Sequence, residues 1–520
     1  MTSSGAEGVC GWGRWQVRLA LLLALPVLLT GMYCTNYVFL AAASNHRCLV
    51  PECEGNSNET SYSAARADWG GYALPKDACE RYQPLDDTCE SDSFNQTLME
   101  CEEIVYESHS SIVAEFGLGC QEWKRSLVGT IHNVGMLISL PIIGHISDHY
   151  GRRTALIVSG VGAGILGLCK SLAGSYYAYL MWELLETILG ASVYPAAFVL
   201  MIEWLGVEHR ILASLVLGIP LAGGAATLSL LDYLAGYWRT WCRIAYPPSL
   251  LLLLYPWLLP ESIRWLAIQN RVSEAVAVMK QAARWNRVQA SDEAFEKMLC
   301  DQNEKTPVAK VEEESLFAAF IKYGALRRRL SVCFVWWISA VFVFYGLAVH
   351  VHALGGSAHA TYAMVAAAEL PALLLNTLLL DRAGRRPVLT AAFLTTACAL
   401  VALSCLPEGS GWWATALYLI GKLGATMSLN ALYVYTAELF PTRARHRLLA
   451  ACSTCGRLGA VLAPLTPMLA QLKPWLPTAI FGTLPLLSAA LTRLVPDTLH
   501  ARLPDSFSDL DPARIRAADV

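Results

Sequence analysis

Charge is scarce in this sequence. Of 520 residues only 16% are Asp, Glu, Lys or Arg, against 55% apolar residues. A soluble domain carries about 25% charged residues, so the deficit argues for a membrane protein and against a nucleic-acid-binding one. Enzyme signatures are also missing. No P-loop, HExxH or GxSxG occurs, which argues against an ATP-driven pump, a zinc peptidase or an acyl hydrolase. His132 and His145 lie in one apolar run and find no metal partners in the sequence, so neither a metal nor a cofactor is expected. No small-residue cleavage site follows the first apolar run, which therefore reads as a retained helix rather than a signal peptide.

Long apolar runs are plentiful instead. Stretches of about 20 residues, enough to cross a bilayer, fall at 18–43, 127–146, 154–173, 176–202, 211–235, 241–259, 331–350, 361–380, 388–406, 412–436, 449–469 and 477–495. The fold class expected is an all-α membrane protein of twelve spans. Asp232, Arg243 and Pro247-Pro248 interrupt the fifth and sixth spans.

Basic residues gather at one set of span ends, and the positive-inside rule puts those ends, and both termini, in the cytoplasm. Residues 1–17 and 496–520 are then cytoplasmic segments. Residues 18–260 and 331–495 are two six-helix halves, joined by a cytoplasmic linker at 261–330. The loop 44–126 falls outside. It holds the chain's N-x-S/T sequons, at Asn58 and Asn95, and six cysteines, Cys48, Cys53, Cys79, Cys89, Cys101 and Cys120. An even number of cysteines in an oxidising compartment suggests three disulfides, whose pairing the sequence leaves open.

The chain repeats itself. GHISDHYGRR at 144–153 returns as TLLLDRAGRR at 377–386, so Asp148, Gly151, Arg152 and Arg153 recur as Asp381, Gly384, Arg385 and Arg386 at an offset of 233. Gly144 is matched by Thr377. Glu203 and Arg210 return as Glu438 and Arg445, and Pro260-Glu261, followed by Arg264, returns as Pro496-Asp497. Two parallel halves, each with its own turn of glycine, arginine and carboxylate, suit a device in which one half rocks against the other. Glycine permits the tight turn. Arg152 can reach carboxylates such as Glu203, and such pairs are expected to hold the inner side closed in one state and break in the other.

Beyond the repeat, HRCLVP at 46–51, PESIRWL at 260–266, YGL at 345–347, ELPA at 369–372, YTAELFPTRAR at 435–445, GRLGAVLAP at 456–464 and PDTLHARLPDSFSDL at 496–510 complete a pattern. With GHISDHYGRR and the cysteine-rich loop, the chain resembles the organic cation, organic anion and carnitine transporters (solute carrier family 22) of the major facilitator superfamily, from about residue 15 to 510. Sugar porters share the DxxGRR and PESxRWL patterns but not the loop or the tail. The resemblance implies a plasma-membrane secondary or facilitative transporter working by alternating access. Its partners would be a small organic ion and the lipid bilayer; oligomeric state stays open.

An ionisable side chain at a helix centre costs about 2.5–3.5 kcal/mol on insertion scales, so each needs a partner or a task. Arg457 lies roughly 12 Å deep at about 1.5 Å per residue. By resemblance, its position carries arginine in anion and carnitine transporters and aspartate in many cation transporters. Glu183 and Glu186 share one helix face; the family more often has a basic residue near 186. Glu369 fits an acidic position common in the family. These acids could receive an ammonium group, carry protons, or pair with Arg457 or Lys422. Trp337 and Phe344, seven apart with Tyr345 adjoining, occupy positions that line the family's central cavity, where aromatic faces attract cations. Asn430 matches a polar cavity position, and Asn36 and Tyr37 are further candidates.

An arginine, buried acids and aromatics together suit a cation or small zwitterion, a carnitine-like betaine or an amino-acid-derived amine. The alternative is an organic anion transporter or exchanger. A non-transporting receptor on the same fold is a third reading, one that broken repeat motifs would favour; here both are intact.

Overall fold

The computed structural model describes residues 11–54, 62–63, 69–75, 77–205, 210–288, 295, 316–354, 357–407, 411–441, 444–499 and 507. Asn58 lies outside the described residues, as does the side chain of Arg210.

Twelve membrane helices follow the apolar runs. In the first half they are α1 (Arg14–Tyr33, resuming at Tyr37–Leu40), α2 (Glu122–Tyr150), α3 (Arg152–Lys170), α4 (Tyr176–Gly190, resuming at Val193–Glu203), α5 (Arg210–Ala235) and α6 (Trp238–Ala245, continuing through Pro247–Leu254 to Leu258). The second half has α7 (Gly324–Val349), α8 (Ala358–Ala367, resuming at Glu369–Ala383), α9 (Arg385–Ser404), α10 (Trp412–Leu439), α11 (Arg445–Leu462, continuing to Leu472) and α12 (Leu476–Leu491). Nine of the described helices are long and apolar enough to cross a membrane on those grounds alone. Of the rest, α6 is split by Pro247-Pro248 into a 3-10 stretch, and α12 ends in a 3-10 turn.

Large side chains face outward as lipid-facing helices require, Trp257 at 79% exposure and Leu21 at 71% among them. In lipid only complete backbone pairing is tolerated, which is why the interruptions in α1, α4 and α8 matter. They sit inside the bundle, beside the ionisable residues described below. Backbones approach closely where glycines allow it: a Cβ on Gly31 of α1 would meet the Leu221 carbonyl of α5 at 2.1 Å, and one on Gly224 the Leu28 carbonyl at 2.0 Å.

The loop between α1 and α2 carries two small antiparallel ribbons, β1 (His46–Cys48) with β4 (Ile104–Tyr106) and β2 (Glu80–Pro84) with β3 (Phe94–Glu100). Its disulfides are Cys48–Cys101, Cys53–Cys89 and Cys79–Cys120. Asn95 is exposed on β3. Glu115 ties this loop to the start of α6, bonding Tyr237 at 2.8 Å, Trp238 at 2.5 Å and Arg239. The helix Val272–Asn286 of the linker lies against α1, with Asn286 accepting from Trp15 N at 2.9 Å.

The halves meet along α2 with α11 and α5 with α8. Hydrogen bonds joining them cluster at the disulfide-bearing end: Thr35 to Tyr362 at 2.5 Å, His352 to the Val38 carbonyl at 3.0 Å, Ser229 to the His359 carbonyl at 2.7 Å and His359 to Asp232 at 3.0 Å.

Candidate functional site: two facing charge clusters and a duplicated latch

The α2–α3 and α8–α9 turns are built alike. Gly151 and Gly384 have φ of +103° and +96°, a region glycine enters freely. Arg152 bonds Asp148 at 2.9 Å and Glu203 at 3.3 Å, and Arg385 bonds Asp381 and Glu438, each at 3.1 Å. Glu261 accepts from Arg153 N at 3.1 Å, and Asp497 from Arg386 N at 3.3 Å. These carboxylates cap α3 and α9 from the chain segment that follows the sixth helix of each half. Burial pushes the Glu261 carboxyl above its usual range, against the pull of the Ser262 and Arg153 backbone N–H groups.

Every one of these ties lies within a half. Both sets are formed at once in this structure, and each joins helices of the same half. Glu203 and Glu438 serve Arg152 and Arg385; Nε and Nη2 of Arg445 are buried with no hydrogen-bond partner among the described residues. Arg153 reaches the Pro256 and Leu259 carbonyls, while Arg264 is exposed. Gly144 lies within α2 with open space where a Cβ would stand, and its counterpart Thr377 donates to the Leu373 carbonyl of its own helix at 2.9 Å.

In the first half, Lys170 at the end of α3 is wholly buried. Its Nζ lies 2.7 Å from Glu183, 3.5 Å from Glu186 and 2.8 Å from the Tyr246 hydroxyl. His132 Nδ1 is 2.6 Å from the other Glu183 oxygen. Asn36 donates to Tyr246 at 2.9 Å, and Tyr37 packs on the His132 ring at 4.9 Å. Thus Glu183 and Glu186 meet neither Arg457 nor Lys422 but a lysine that sequence reasoning passed over. The signal was available, since a lysine at the end of an apolar span needs explaining. His132 does have carboxylate neighbours: with Glu183 and Glu186 it places three possible ligand atoms within 4.8 Å of one another, and the Lys170 ammonium already takes the cation's place between the acids.

In the second half, Glu369 at the restart of α8 holds Lys422 of α10 at 2.9 Å, and the ammonium lies 3.4 Å over the Phe344 ring. Arg457 of α11 bonds the Tyr345 hydroxyl at 3.3 Å, and among the described residues no carboxylate lies within ion-pair distance of it. Tyr345 in turn meets Cys34 of α1 at 3.5 Å. Trp337 is buried in the packing of α7 on α10, donating to Thr436 at 3.0 Å and lying edge-on to Tyr433. Asn430 turns its amide back to the Thr426 carbonyl at 2.8 Å.

A small cavity of about 20 Å³ lies within the first half. Glu186, His132 and Tyr33 line one part of it and Cys34 another. Across Cys34 and Tyr345 stands Arg457.

The comparisons agree with this architecture. The Major Facilitator Superfamily profile matches residues 111–464. An organic cation transporter protein of Drosophila melanogaster is 30% identical over 515 residues, covering 96% of this chain and 92% of its own. Human solute carrier family 22 member 7 is 30% identical over 540 residues, covering 97% and 95%. The chain belongs to solute carrier family 22 of the major facilitator superfamily. Like its family it is a multi-pass membrane transporter and not an enzyme. Among solved structures, the inward-open xylose transporter XylE from E. coli aligns with a TM-score of 0.63 at 16% identity, covering 95% of this chain and 99% of its own, a likeness of fold. This solute carrier 22 chain thus places an acid-rich cluster and an arginine on facing halves.

Proposed function

We propose that this family member moves a small zwitterion, a cationic head joined to a carboxylate, across the plasma membrane by alternating access, with both termini in the cytoplasm. The observation that carries the reading is a charge imbalance of opposite sign in the two halves. On the first side one ammonium, Lys170, faces two carboxylates, Glu183 and Glu186, and the acids outnumber the fixed cations there. Lys422 against Glu369 balances, so Arg457 is left as one positive charge. Glu186 lines the small cavity, Arg457 is linked to that cavity's Cys34 through the Tyr345 hydroxyl, and desolvated charges without partners are costly. A substrate bearing both signs neutralises them together. Tyr345 stands between Cys34 and Arg457, with Phe344 against its ring. Within this reading, closure at the disulfide-bearing end describes the inward-facing state, and the paired latches stiffen each half as it rocks.

The lone guanidinium also supports the alternative, an organic anion held at Arg457 with the acids in a structural or coupling role. Uptake of a simple organic cation, a carnitine-like zwitterion and a dicarboxylate into expressing cells, beside Arg457→Ala, separates the readings. Zwitterion uptake falling about 10–100-fold in the variant, the loss of one hydrogen bond to a charged group, supports the proposal. Dicarboxylate transport alone makes this an anion carrier, and cation transport indifferent to Arg457→Ala returns that residue to structure.

A further inference from the structure

We infer that Glu186 is a proton-exchange site: it holds a proton when the cavity is empty and releases it to water when the cationic head of a substrate arrives, so that transport is coupled to proton movement in the opposite direction. The coupling rests on the proposed cationic head; the proton site does not.

The argument starts from what faces Glu186. Tyr33 and Cys34 come from α1, His132 from α2, Lys170 from α3, Tyr179 and Glu183 from α4, and Cys242 and Tyr246 from α6. Among these Lys170 is the one fixed cation, and two carboxylates compete for it. Glu183 wins on distance, taking the ammonium at 2.7 Å and the His132 ring at 2.6 Å. Glu186 keeps a single 3.5 Å contact and lines the cavity. A carboxylate this buried and this poorly compensated is disfavoured as an anion unless a positive charge joins it. The cavity it lines, about 20 Å³, has room for about one water, so a proton reaches Glu186 here and an ammonium group does so once the halves rock the site open; both use the same oxygen atoms. Their occupancy is therefore mutually exclusive, which is the condition for exchange.

The step is balanced. As the cationic head enters, the O–H bond of the Glu186 carboxyl breaks, the proton leaves through cavity water to the side on which the cavity is open, and the carboxylate takes the head's charge. On the other side the head departs and water returns a proton. One proton moves per substrate, in the opposite direction. His132 lines the same cavity, with its Nδ1 on Glu183 at 2.6 Å.

Infrared difference spectroscopy on the full chain in lipid nanodiscs, acid against alkaline, tests the proton site without any substrate. We expect a protonated-carboxyl C=O band that disappears at alkaline pH, is missing in Glu186→Gln and persists, shifted, in Glu186→Asp, which controls for misfolding. No such band, or one unchanged by Glu186→Gln, overturns the inference. In proteoliposomes with clamped potential and labelled carnitine as the probe, exchange predicts about tenfold accumulation per unit of inside-acid pH gradient, the equivalence of one proton to one substrate. Carnitine transport indifferent to the gradient rejects the coupling. Failure of carnitine to move at all, with the Glu186 band present, sinks the zwitterion reading while upholding the proton site.

Discussion

Lys170 and Glu183 face each other at 2.7 Å with neither side chain exposed, joining the end of α3 to the middle of α4. One partner without the other would be a bare charge inside the bundle. Lys170→Met leaves two acids to share the site, and breaking a buried pair from one side costs about 3–5 kcal/mol. Surface expression and thermal stability in detergent are expected to fall steeply. Adding Glu183→Gln to Lys170→Met is expected to restore much of the loss, because the orphaned charge is gone. If the double variant is no better than the single one, the lysine has a role beyond neutralising Glu183.

Gly151 and Gly384 make the same demand twice. At Gly151 a Cβ would stand 2.2 Å from a Glu261 oxygen, and at Gly384 2.4 Å from an Asp497 oxygen, both on backbone with positive φ. Gly151→Ala and Gly384→Ala are each expected to destabilise by about 1–3 kcal/mol, the cost of an L residue in a sparsely populated region. Combining Gly151→Ala with Glu261→Ala removes the clash but not the strain, so recovery in thermal melts is expected to be incomplete.

The loop disulfides fix a pairing that peptide mapping under non-reducing conditions reads directly: Cys48 with Cys101, Cys53 with Cys89, Cys79 with Cys120. Replacing Cys53 and Cys89 together by Ser opens the loop between them and is expected to cost the loop about 2–4 kcal/mol. The helices have their own packing, so transport kinetics are expected to change less than loop protease resistance.

Glu115 gives the outer tie its pH dependence. Burial raises its carboxyl, but hydrogen bonds from Arg239, Trp238 and Tyr237 outweigh that and hold it below the usual carboxylate range. A depressed folded value means stability that is full above the ordinary glutamate range and is lost as pH falls through the depressed value. Hydrogen exchange at Ile112–Glu115 and the start of α6 is expected to stay slow down to mildly acidic pH and to quicken only below it. In Glu115→Gln that acid transition is expected to vanish.

Much of this was legible in one dimension. Hydropathy marks out the twelve spans because lipid leaves helices few ways to vary, and the doubled DxxGRR turn announces the two halves. The Arg152–Glu203 contact follows from complementary charge next to a turn of known shape, and the choice of Arg457 from its depth together with the family resemblance at its position. Other features were not legible. Glu186 sits in an apolar helix whose sequence gives no hint of which neighbour it meets, and Lys170 looks like the edge of a span. Trp337 and Phe344 share a helical face by count, yet one is packed away against α10 and the other lies under Lys422, because neighbouring helices decide what a face touches.

By itself, then, the sequence determined that this chain is a duplicated helical membrane protein with charged turns and a disulfide-stapled loop, since composition, periodicity and spacing act locally. Only the tertiary structure decided which cysteines join, that each latch closes within its own half, that Lys170 sits nearer Glu183 than Glu186, and that Arg457 rests on the Tyr345 hydroxyl. Those outcomes depend on which residues distant in the chain come within a few ångströms, and that is set by how the helices pack.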